Sequence, residues 1–173
     1  MKPFIGLKRI WYGAPLAQAP TKESLNSESG ILKDMKEVKN VHSGTWVYTQ
    51  NDPETTEYKN ELTGDTYFID ITSLGGKNVS FTLGQYDFPT RVDLQGGKYE
   101  NGVWESPKEP LLIRKSIVAQ TKTGNYIVFP NAYIISKVDT QEKNLGLGIT
   151  AVAAEDSDKN LSEEYWIDME ATE

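Results

Sequence analysis

The chain contains no cysteine and a single histidine. The missing thiols remove disulfides, thiolate zinc sites, iron–sulfur clusters and cysteine nucleophiles from consideration. His42 alone cannot build a multi-histidine metal site, and any Ser-His-Asp arrangement would have to use it as the base. Long hydrophobic runs are also missing. The apolar opening Phe4-Ile5-Gly6-Leu7 stops at Lys8-Arg9, too short for a signal-peptide core. No stretch approaches the roughly 20 apolar residues that span a bilayer. These absences predict a protein made in a cytoplasm with no membrane segment. Basic charge is scarce too: 18 Lys+Arg against 25 Asp+Glu leave a net charge of −7. Gripping nucleic acid requires clustered Lys/Arg, so tightly held DNA or RNA is a poor fit.

The 173 residues fit one domain, 1–173. At 19.4 kDa, surface scaling gives roughly 8,500 Å² exposed when folded, so most of the chain's surface should be buried. The charge is uneven. Residues 1–154 hold 17 acids and 17 bases, so the acidic C-terminal segment 155–173 carries the entire −7. Within the neutral part, residues 52–70 carry six acids and one lysine, and 106–122 carry four bases and one acid. Charge runs of this kind usually mark solvated faces.

The dominant hydrophobic period is two. Leu145, Leu147, Ile149, Ala151 and Ala153 alternate with Gly146, Gly148, Thr150 and Val152. Tyr67-Ile69-Ile71 and Val79-Phe81-Leu83 alternate in the same way, and 111–119 and 125–138 are rich in β-branched and aromatic residues. This is the strand signature. Turn signals punctuate it at Asn101-Gly102, Thr63-Gly64-Asp65, Lys122–Asn125 and Gly75-Gly76. One helix is predicted after Asp87, through Phe88–Gln95 and closed by Gly96-Gly97. A weaker one is suggested over 21–29 behind Thr21. The expected class is mostly β: an antiparallel β-sandwich or small barrel with one short flanking helix and a long hairpin arm.

Tests for chemistry return little. His42-Ser43 lacks an orienting carboxylate or a nucleophile elbow. Glu57, Glu61 and Asp70 could pair as glycosidase acids, but any chain with 25 acids offers such pairs. Leu145-Gly146-Leu147-Gly148 opens into a strand, so it suits close packing better than phosphate binding. Asp156-Ser157-Asp158 lacks the fuller loop calcium needs. No catalytic, metal or cofactor residue is predicted. Aromatic content is 10%, and Trp46, Tyr99, Trp104 and Trp166 are candidate stacking platforms for a glycan. A non-catalytic carbohydrate-binding module is therefore the alternative reading.

The segment 45–67 reads as the hairpin arm, with two alternating stretches flanking the acidic loop Asn51-Asp52-Pro53-Glu54. Its aromatics Trp46, Tyr48 and Tyr58 are candidates for docking on a neighbouring subunit. The order of phrases resembles a known family. The phrases are Leu7-Lys8-Arg9-Ile10-Trp11-Tyr12, the polar hairpin from Trp46 to Leu62, Phe81-Thr82-Leu83-Gly84-Gln85-Tyr86-Asp87, the short helix closed by Gly96-Gly97, and the 145–153 strand followed by Glu164-Tyr165-Trp166. Over most of its length the chain resembles the major tail tube proteins of long-tailed bacteriophages, particularly those of gut Bacteroidales and their prophages. The resemblance implies a virion structural protein assembled in the bacterial cytoplasm. It implies rings, usually hexameric, that stack through 45–67 into a tube. Such a tube surrounds a tape measure protein, meets a terminator and in some tails a sheath, and passes DNA only as cargo. It also implies that Gly146 and Gly148 permit close packing between subunits.

Overall fold

The computed structural model describes residues 1–26 and 30–171. The chain opens with β1 (Arg9–Gly13), a helical turn α1 (Lys22–Asn26), β2 (Lys36–Glu37) and β3 (Val47–Gln50). Next come β4 (Glu54–Lys59), β5 (Thr66–Ser73), β6 (Lys77–Leu83), the helix α2 (Phe88–Gln95), β7 (Lys98–Glu100) and β8 (Val103–Glu105). The last part holds β9 (Ile113–Gln120), β10 (Tyr126–Gln141), β11 (Asn144–Ala153) and β12 (Tyr165–Ile167). Among the described residues, no helix is long and apolar enough to cross a membrane.

One antiparallel sheet dominates, in the order β2-β1-β9-β10-β11-β6-β3, with β12 also paired to β10. Strand β10 is its spine. Tyr126–Val128 pair with β12, and Ala132–Gln141 pair with β11 on the same side. The change of partner falls at Phe129–Ala132, where the register with β9 slips. Pro130 lies in that gap and has no N–H to give a ladder.

Alternation sorts the side chains to two cores. Ile10 and Tyr12 of β1, Ile117 and Ala119 of β9, and Ile127 and Phe129 of β10 join Val79, Phe81, Leu83, Leu147 and Ile149 in the larger one. Trp11, Val118, Tyr126 and Val128 point the other way, to Leu16, Leu25 and Ile167. Strands β1 and β6 lie far apart in sheet order yet meet in the larger core, so the sheet curls. It does not close. Strands β2 and β3 are its edges, and the chain between them touches both sides of the gap: Val38 N–H donates to Ile10 O, and His42 N–H donates to Thr82 O. The mostly-β antiparallel class is as expected; the strands form one open curled sheet and two separate two-stranded ribbons, β4–β5 and β7–β8.

Local rules account for the helix and the turns. The Asp87 carboxylate accepts from Thr90 N–H, Pro89 sits in the first turn, and Gly96 closes α2 at φ 85°. Burial of Thr90 and Leu94 and the hydrogen bond from Tyr12 Oη to Asp93 Oδ2 fix α2 on the sheet. The weaker predicted helix is present only as Lys22–Asn26, with Thr21 Oγ1 accepting from Ser24 N–H; Ser27–Ser29 of that prediction lie outside the described residues.

The arm needs a correction. The exposed ribbon spans 54–73, shifted from the predicted 45–67. Trp46 and Tyr48 belong to the body, because their rings find partners there, Trp46 against Phe81 and Tyr48 against Phe129. The alternating stretch Tyr67-Ile69-Ile71 is a strand, as expected, and forms the second strand of the arm.

Candidate functional site

The β4–β5 ribbon is the feature the fold itself does not explain. Every residue of both strands is exposed. It is a continuation of the β3–β6 pair: Gln50 lies opposite Lys77, Asn51 N–H donates to Gly76 O, and the two chains then run out together. The tip turns at Asn60–Asp65. There Gly64 adopts φ 76°, Asn60 N–H donates to Asp65 O, and Asn60 Oδ1 accepts from Leu62 N–H. Two register slips twist the ribbon.

Its side chains are not those of a solvated hairpin. Tyr67, Ile69 and Ile71 share one face of β5 at 71%, 54% and 60% exposure. Tyr58 and Phe68 pair across the opposite face with centroids 5.7 Å apart. A lone two-stranded hairpin is marginal in water, and contiguous exposed apolar surface usually marks a contact site. Six acids surround it, and none of Asp52, Glu54, Glu57, Glu61, Asp65 or Asp70 has an ion-pair partner among the described residues.

The root of the ribbon is tied down. Gly75 sits at φ 82°, and a Cβ there would lie 2.0 Å from Asn51 O, so the two chains pass too closely for any other residue. Beside it, the Glu164 carboxylate accepts from Tyr48 Oη at 2.7 Å and from Trp166 Nε1 at 3.0 Å, and pairs with Lys77 at 3.4 Å. Trp166 lies edge-on to Tyr48 and against Phe4. Burial, reinforced by the hydrogen bond to Glu164, pushes the Tyr48 phenol well above its usual range.

The predicted interface residues are therefore dispersed. Tyr58 is on the ribbon, Tyr48 at its root, and Trp46 on the body. Gly146 and Gly148 lie on the outward face of β11. A Cβ on Gly146 would stand 2.6 Å from Thr82 Cγ2 and 3.0 Å from Leu83 O, and one on Gly148 would stand 3.0 Å from Asp139 Cβ. Crowding within the chain already accounts for both glycines. Glu164 and Lys77, which hold the root, carry no sequence signal beyond their charge.

The other candidates are engaged elsewhere. Trp104 donates its indole N–H to Gly96 O and lies 3.6 Å beneath the Arg91 guanidinium. Tyr99 stacks on Phe88. Asp156 is buried between Arg114 at 3.7 Å and Lys159 at 3.5 Å, an ion-pair role. His42 contributes backbone bonds at the seam of the sheet. No family model matches the chain, and no curated protein matches it in sequence.

Proposed function

We propose that the protein is a self-assembling structural subunit of the tail-tube type, forming stacked rings whose bore passes DNA. The observation that carries this reading is the 54–73 ribbon, whose large apolar side chains are exposed and whose root is anchored. The surface area agrees. The chain exposes 11,089 Å², about 2,600 Å² more than the roughly 8,500 Å² expected for a compact protein of its mass. A surplus of that size suits a subunit that buries surface in neighbours. An acidic chain also suits a conduit that must not retain a polyanion. The carbohydrate-binding alternative draws less support, since Trp46, Trp104 and Trp166 spend their faces or N–H groups inside the chain.

The test is to replace residues 52–75 with an Asn-Gly turn, which joins Asn51 to Gly76 where they already pair. The body should keep its circular dichroism and melting transition. Wild-type protein at high concentration should form rings or tubes by negative-stain microscopy and light scattering, and the shortened chain should not stack. A wild type that stays monomeric while binding oligosaccharide would overturn the reading.

A further inference from the structure

Where an arm docks is a separate question from whether it docks, and the seam of the open sheet offers a receptor. A groove of about 390 Å³ runs between residues 6–10 and the chain 38–46 that bridges the gap from β2 to β3. Its apolar lining comes from Leu7, Val38, Val41 and Trp46, each half-buried over the larger core. Lys8, Arg9, Lys39 and Lys122 also line it, and no carboxylate does. Arg9 is engaged by Glu37 through two bonds of 2.8 Å. Lys8, Lys39 and Lys122 are exposed and have no ion-pair partner among the described residues.

We infer that this groove receives the 54–73 ribbon of a second copy of the chain. The inference rests on the self-assembly reading and adds the partner surface to it. The two surfaces complement each other in both respects that matter. The ribbon offers large apolar side chains among unpaired acids, and the groove offers an apolar floor beneath unpaired lysines. Their placement fits as well. The ribbon joins β6 at its first residue, Lys77, whereas the groove wall meets β6 at its far end, where Val41 bridges to Leu83 and His42 bonds Thr82. Donor and acceptor thus occupy opposite ends of one strand. A contact between different patches on identical copies is head-to-tail and propagates rather than closing on a pair.

The test exchanges charge. One variant carries Glu57→Lys and Glu61→Lys on the ribbon, and a second carries Lys8→Glu and Lys39→Glu at the groove. All four side chains are on exposed surface, and unchanged melting of each variant checks the fold. Like charges brought together should raise the protein concentration needed for assembly by roughly tenfold or more in either variant alone. Mixing the two should restore assembly, because each reversed ribbon then meets a reversed groove. Restoration on mixing supports the proposal, since nonspecific damage would not cancel. Groove substitutions that leave assembly intact, while the ribbon deletion abolishes it, overturn the groove as receptor and leave the self-assembly reading standing. Assembly that survives the deletion overturns both. Groove substitutions that instead abolish binding of a short DNA duplex, with assembly unchanged, assign the lysines to nucleic acid and also overturn the proposal.

Discussion

Two strands with nearly the same alternation meet opposite fates. Val79-Phe81-Leu83 on β6 are each at most 2% exposed, while Tyr67-Ile69-Ile71 on β5, a few residues earlier in the chain, are each more than half exposed. Period two dictates an extended strand with one apolar face, but it does not say what covers that face. On β6 the cover is the chain's own curled sheet. On β5 no described residue covers it, and the three side chains stay exposed. The body is held by its own core, whereas the ribbon is held by its ladder, its root and the cross-strand contacts Tyr58–Phe68 and Thr66–Glu57.

Breaking this contrast should produce a graded series. Phe129→Ala, in the body, removes a fully buried ring and should cost about 3–5 kcal/mol in chemical denaturation. Ile69→Ala on the ribbon should change the same measurement by no more than about 0.5 kcal/mol. A ribbon substitution that destabilised the isolated body as much as the core one would show that the ribbon packs on its own chain.

The next effect is confined to the root. Gly64→Ala and Gly75→Ala both place a side chain at positive φ, which costs about 1–2 kcal/mol by itself. A Cβ on Gly64 meets nothing, whereas one on Gly75 runs into Asn51 O. Hydrogen exchange at the Asn51 amide should therefore accelerate much more with Gly75→Ala than with Gly64→Ala. Equal effects would mean that the root is looser than the contact geometry requires.

The gentlest perturbation is alkaline titration. Burial raises the phenol pKa of Tyr12 and Tyr48, and that of Tyr126 moves the same way. A raised value means the fold holds the neutral form. The associated stability is complete below the ordinary phenol value of about 10 and is lost as pH climbs through the elevated one. A tyrosinate absorbance titration should contain a late component that Tyr12→Phe and Tyr48→Phe each diminish. A late component that Tyr48→Phe leaves unchanged would show that the root is open to water.

Local features of the fold were legible in the sequence where the controlling physics is local. The Asp87 cap, the Gly96 stop and the Asn101-Gly102 turn follow from backbone preferences that neighbouring residues set. The β10–β11 turn was opaque because Glu142 and Lys143 adopt φ 48° and 68° without an Asn or Gly to announce it. The position of the arm was opaque for another reason. Trp46 and Tyr48 look like an arm until Phe81 and Phe129, far along the chain, are seen to receive their rings. The groove is least legible of all, since Lys8, Lys39 and Lys122 come together only when the open edges of the sheet are bridged.

The root of the ribbon also sets an order in time. Its anchor joins Tyr48 and Lys77 to Glu164, contacts that span 116 residues in the case of the tyrosine. A ribosome makes the ribbon well before it makes the clamp. Until residue 164 has left the exit tunnel, the nascent chain carries an apolar hairpin on an unfastened hinge. Full fastening of the ribbon is thus deferred until β6, β9, β10 and β11 have all been synthesised.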